Sequence, residues 1–85
     1  MKQHMYKVIP HKNYFSKAER NAGYGLWDNK KDAIRNCLRI SKCRKLEVTC
    51  YDAELITGDL WAQGDIISKE IISSSDAVSE LLFKH

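Results

Sequence analysis

Lys31, Arg35, Arg39 and Lys42 follow one another at steps of four, four and three residues. On a helix that spacing gathers the cations along a single flank. Ammonium and guanidinium groups in such a row can hold phosphates or carboxylates, arginine in a bidentate grip. Arg44 lies just beyond them, and with Lys42 and Lys45 it would complement the negative end of the helix dipole. The same spacing also fits an exposed face whose cations are merely solvated.

The other reactive residue types converge less. Cys37, Cys43 and Cys50 are odd in number and form no C-x-x-C pair, so neither a disulfide framework nor a zinc knuckle is expected. His4, His11 and His85 are distant from them in sequence, and no metal is expected. Cys37 falls on the apolar face of the predicted helix, where a thiolate is disfavoured; Cys37 and Cys50 read as small buried hydrophobes. Cys43 stands among Lys42, Arg44 and Lys45, which would favour its thiolate, so it is the one cysteine with a route to reactivity. A partly exposed inert thiol is its plainer reading. Asp52, Glu54, Asp59 and Asp65 fall in predicted turns or beside them, where aspartate serves the backbone. Gly23, Gly58 and Gly64 make no phosphate-cradling signature. Without a convergent polar motif, the chain is expected to be non-catalytic and to need no cofactor.

Charge is divided along the chain. Residues 1–45 hold twelve Lys/Arg against three Asp/Glu, and residues 46–85 hold two against eight, so a net +3 conceals halves of +9 and −6. Such a division can give the fold an electric dipole, or two faces that recognise different things. Eighty-five residues make one domain with a modest core, and 44 % apolar with 29 % charged residues is ordinary globular composition. No apolar run approaches the ~20 residues of a membrane span. The amino terminus leads straight into a strand-like segment without a hydrophobic signal region, and the expectation is a cytoplasmic protein.

The elements that would position these groups can be read locally. Tyr6 to Pro10 predicts a first strand. Tyr14 to Ala18 is either a second strand or, through the Ser16–Glu19 capping spacing and Gly23 as a stop, the start of a short helix over residues 17–22. The clearest element is a helix from Lys30 to Cys43, with Asn29 as its cap and Ala33, Ile34, Cys37, Leu38 and Ser41 on one face. Leu46 to Tyr51 alternates as a half-buried strand, Leu46, Val48 and Cys50 pointing inward. Asp52-Ala53 predicts a turn with Glu54 to Thr57 returning as its hairpin partner, and Gly58-Asp59 and Gly64-Asp65 predict two more turns around Leu60-Trp61-Ala62. Ile66 to Ile72 is a strand or the first turns of a longer helix. Ser73 and Asp76 have capping spacing before a helix carrying Ala77, Val78, Leu81 and Leu82.

The order of Tyr6-Lys7-Val8-Ile9-Pro10, aromatic Tyr14-Phe15, Trp27-Asp28-Asn29-Lys30-Lys31-Asp32-Ala33 opening a helix, Leu46-Glu47-Val48 and Asp52-Ala53-Glu54-Leu55 resembles the small bacterial family known as domain of unknown function 2188. That family shows a V-x-P strand, a tryptophan-centred strand, an F-x-T-K-x-E-A helix start and a final D-G-x-I hairpin. Here Tyr14 or Phe15 stands for the tryptophan, Asn29 for the capping threonine and Ala53 for the turn glycine, and residues 58–85 lie outside the pattern. The resemblance implies a β-β-α-β-β layout and favours a strand over Tyr14 to Ala18; it carries over no functional residues. In size and architecture the chain is also similar to small phage-encoded anti-CRISPR proteins.

Together these readings predict an α+β fold: a small, mostly antiparallel sheet of β-β-α-β-β order, the Lys30–Cys43 helix packed across one face, and a short carboxyl-terminal helix. The function expected is a protein-binding module, a phage or mobile-element inhibitor of a host defence nucleoprotein complex. Its contact residues would be Lys31, Arg35, Arg39, Lys42, Arg44 and Trp61, the last because it lies between two Gly-Asp turns. Trp27 and Tyr51 are further aromatic candidates, with core packing the plainer role for Trp27. The acidic half could meet a basic nucleic-acid channel. The alternative is direct nucleic-acid binding, with phosphates on the helix stripe and Tyr14, Phe15 or Tyr24 for stacking; the modest net charge and acidic second half weigh against it. Self-association of basic half on acidic half is a third arrangement.

Overall fold

The computed structural model describes residues 2–11, 23–58 and 60–82. Its elements run β1 (Lys2–Pro10), α1 (Lys30–Ile40), β2 (Lys45–Thr57), β3 (Leu60–Ser73) and α2 (Ser74–Leu82). The strands form one antiparallel sheet in the order β1-β2-β3. The fold is therefore α+β, but the described elements follow the order β-α-β-β-α and not β-β-α-β-β. The segment read as a second strand or short helix, Tyr14 to Ala18 and residues 17–22, lies outside the described residues.

Register decides which side chains form the core. Val8 stands opposite Val48, and Pro10, Leu46 and Ile72 align across the sheet. These positions share one face, and over them pack Ala33, Ile34 and Cys37 of α1 and Ala77 of α2, with Leu81 partly buried against the cluster. Ile34 and Leu46 are wholly buried, each contributing roughly 1.5–3 kcal/mol. Cover of the sheet is shared: α1 lies mainly against β1 and α2, while α2 also meets β2 and β3. The expected picture of one helix lying across the face is corrected accordingly. Burial also reaches the opposite face, where Met5, Thr49 and Ala53 are buried, so β2 is buried on both faces where it runs beside β1.

Both helix starts follow their local signals. The Asn29 side chain accepts from the Lys31 and Asp32 amides at 2.8 and 3.4 Å. The Ser73 hydroxyl accepts from the Asp76 amide at 3.1 Å. The end of α1 does not follow: the helix stops at Ile40, and Ser41 is extended with φ −133° and ψ 142°. Helix propensity and dipole would tolerate another turn, but Cys43 is drawn into the core and the chain must enter β2 at Lys45, so tertiary packing overrides.

Two predicted turns are absent. Asp52-Ala53 runs straight through β2, because Ala53 pairs with Gln3 on one side and Gln63 on the other. Glu54 to Thr57 is the same strand continuing, and the hairpin partner is β3. Gly64-Asp65 lies inside β3, where the register with β2 shifts between Tyr51 and Ala53. The turn that exists is at Gly58, whose φ of +53° suits the short connection between Thr57 and Leu60. Residues 66–72 are strand.

One ion-pair cluster ties three elements. Lys30 Nζ at the start of α1 donates to Glu70 Oε1 of β3 at 3.0 Å and Glu80 Oε1 of α2 at 2.9 Å. Burial pulls the Lys30 ammonium down, but the hydrogen bonds to Glu80 and Glu70 outweigh it, and the group titrates above its ordinary 10.5. A cation whose pKa rises on folding stabilises in full below its unfolded value and loses that contribution as pH climbs through the folded one. The stability difference between the wild-type chain and Lys30→Met, from urea unfolding, should therefore be constant over about pH 7–9 and shrink above 10.5. A difference that stays flat into that alkaline range would show the cluster to be inert.

Gly64 gives a second prediction. A Cβ there would lie 2.5 Å from the Asp52 carbonyl oxygen, whereas on Gly23 it would meet no described atom within 4 Å. Gly64→Ala should cost roughly 1–3 kcal/mol in urea unfolding, with Gly23→Ala near neutral. Equal effects would place the close approach elsewhere.

Candidate functional site

The loop before α1 is fastened to the sheet and to the helix by separate bonds. Trp27 makes an isolated antiparallel bridge to β1: the Tyr6 amide donates to the Trp27 carbonyl at 2.6 Å, and the Trp27 amide to the Tyr6 carbonyl at 2.8 Å. Gly25, with φ +64°, lets the chain turn back so that the Trp27 indole Nε1–H reaches the Tyr24 carbonyl at 2.7 Å. That same carbonyl accepts a hydrogen from Asn36 Nδ2 at 3.1 Å. One backbone oxygen thus joins loop, indole and helix.

On α1, Asp32, Arg35, Asn36 and Arg39 stand at i, i+3, i+4 and i+7, a single stripe. Burial of Ala33, Ile34 and Cys37 fixes the helix rotation, and the stripe then faces the Trp27 loop. Between them lies an open cleft of about 170 Å³ lined by Trp27, Asp32, Arg35, Asn36 and Arg39. Asn36 is 5 % exposed and holds Arg39: its Oδ1 accepts from Arg39 Nη2 at 2.8 Å. Arg35 Nη1 donates to Asp32 Oδ1 at 2.8 Å, an exposed pair.

The six residues expected to make contacts separate in space. Arg35 and Arg39 both line the cleft, on the same flank of the helix. Lys31 shares that helix, partly buried and outside the cleft lining. Lys42 and Arg44 are exposed but lie past the end of α1, so the four-cation helical stripe is corrected to three. The Arg44 carbonyl meanwhile accepts the Ser74 amide at 2.7 Å, tying the connector to α2. The Trp61 backbone runs in β3 and not in a loop between turns, and its side chain lies outside the described residues. Sequence reasoning missed Asn36 altogether. Its only signal was a polar residue one position before Cys37, beside the apolar face. Trp27, expected chiefly in the core, packs against the core and also walls the cleft.

All three cysteines are buried. Cys43 is 6 % exposed within the core and not partly exposed at a helix end. Cys37 is fully buried, and desolvation, followed by the neighbouring Cys43, pushes its thiol far above the ordinary range. Among the described residues no group of three His, Cys, Asp or Glu could hold a metal ion, and no helix is long and apolar enough to cross a membrane.

No protein-family model, no curated protein and no solved structure matches this chain.

Burial of Cys37, Cys43 and Cys50 predicts that a thiol reagent such as Ellman's will titrate them only after unfolding in guanidinium. Rapid reaction of one thiol in the native chain would show Cys43 to be accessible and reopen its nucleophilic role.

Proposed function

We propose that this chain is a non-catalytic binding module that docks the Arg35–Arg39 flank of α1 on an acidic surface of a partner protein or nucleoprotein. The observation that carries the reading is that Arg35, Arg39 and Trp27 line one open cleft. Arginine and tryptophan are the residue types that dominate docking hot spots, because they combine broad contact area with directional donors. Exposed Lys42 and Arg44 extend the positive surface beyond the helix end and would assist encounter at low salt. The narrower reading, an inhibitor of a host defence complex, is supported by size and by the divided charge. Direct nucleic-acid binding is disfavoured by Asp32, which brings a carboxylate into the cleft where a phosphate backbone would run.

The test compares affinity capture by the wild-type chain and by Arg35→Glu/Arg39→Glu, both checked for native circular dichroism. The double reversal should lose the retained partner by at least about tenfold, as expected when opposed charges become like charges. Full retention by the folded double variant would remove this surface from the interface.

A further inference from the structure

The cleft has a chemistry more specific than positive charge. The Trp27 indole N–H is spent on the Tyr24 carbonyl, so the ring offers a ligand only its apolar edge and π face. Arg39 uses one of its five N–H groups on Asn36 and Arg35 uses one on Asp32, leaving each guanidinium donors to spare. Asn36 is buried with both ends of its amide engaged, which holds Arg39 in place before any ligand arrives. The formal charges on the walls are two cations and one anion, a surplus of a single positive charge. That balance suits one carboxylate, whereas a phosphodiester chain would press further negative charge against Asp32. At about 170 Å³ the cleft is smaller than the ~300–1,000 Å³ of small-ligand sites, so it takes one or two side chains of a peptide and not a free small molecule.

From this geometry we infer that the cleft recognises a carboxylate adjacent to an aromatic or large apolar side chain, in an acidic peptide segment. The carboxylate takes the free donors of Arg39 and Arg35, and the apolar neighbour lies on the Trp27 ring. Asn36 is a positioning residue acting through Arg39. The inference rests on the binding-module reading above and names what that surface would select.

The experiment titrates the ¹⁵N-labelled full chain with N-acetyl-Phe-Glu-amide, its Gln counterpart and octathymidylate. The Trp27 indole N–H, the Asn36 amide and the arginine Nε–H signals are followed. The Phe-Glu peptide should shift these signals saturably, and the Gln peptide should bind about tenfold more weakly, the scale of one charge-assisted hydrogen bond. Arg39→Ala should weaken binding by about tenfold or more. Asn36→Ala should weaken it less and broaden the Arg39 Nε–H signal, which a purely structural role would not do. Equal binding of the Glu and Gln peptides, no shift at Trp27, or tighter binding of octathymidylate would each overturn the inference. If the double charge reversal loses its partner while Phe-Glu does not bind, the docking surface stands and the carboxylate site falls. If Phe-Glu binds while the double variant keeps its partner, the carboxylate site stands and the docking surface falls.

Discussion

Burial of the Ala33–Ile34–Cys37 face of α1 against Val8, Leu46 and Val48 is the constraint from which the rest follows. A helix with one apolar stripe has one rotation that removes that stripe from water. Once the rotation is set, the adjacent stripe has no freedom left. Asp32, Arg35, Asn36 and Arg39 must face the loop that carries Trp27, and the loop is held by its bridge to Tyr6 of β1. The cleft is thus a by-product of core packing, made specific by the polar residue that borders the core. Asn36 sits where the buried face meets the exposed one, and it satisfies its amide on the Tyr24 carbonyl and the Arg39 guanidinium. A buried amide without those partners would be costly, so the same bonds that make Asn36 tolerable also orient Arg39.

The divided charge of the chain is partly consumed by the fold. Lys30 belongs to the basic half, and Glu70 and Glu80 to the acidic half, yet they form one cluster joining α1, β3 and α2. Arg35 is likewise paired with Asp32 of its own helix. A dipole inferred from composition therefore overstates the field available to a partner. Around the end of α1, Arg39, Lys42, Arg44 and Lys45 remain exposed, and no ion pair is found for them among the described residues.

Legibility in the sequence followed the range of the deciding interaction. Asn29 and Ser73 were readable as caps because a cap is settled within three residues, by a side chain and the amides it faces. The strand nature of Leu46 to Tyr51 was readable from alternation. Asp52-Ala53 and Gly64-Asp65 look like turns because their residue types favour turns, but pairing with partners distant in sequence held both extended. Gly64 is needed there for another reason, close approach of its backbone to Asp52. The carboxyl end of α1 was misjudged for the same cause, since Cys43 leaves the helix to enter the core.

For the site, periodicity alone put Arg35 and Arg39 on one helical flank, because 3.6 residues per turn requires it. Composition and spacing also disclosed the apolar stripe that turns the helix. Nothing local could bring Trp27 opposite those arginines, reveal that Asn36 would be buried, or detach Lys42 from the stripe. Those outcomes depend on β1 pairing with β2, on the loop bridging back to Tyr6, and on where the core claims Cys43. They are contacts between residues remote in the chain, and their free energy is settled only when the whole core closes.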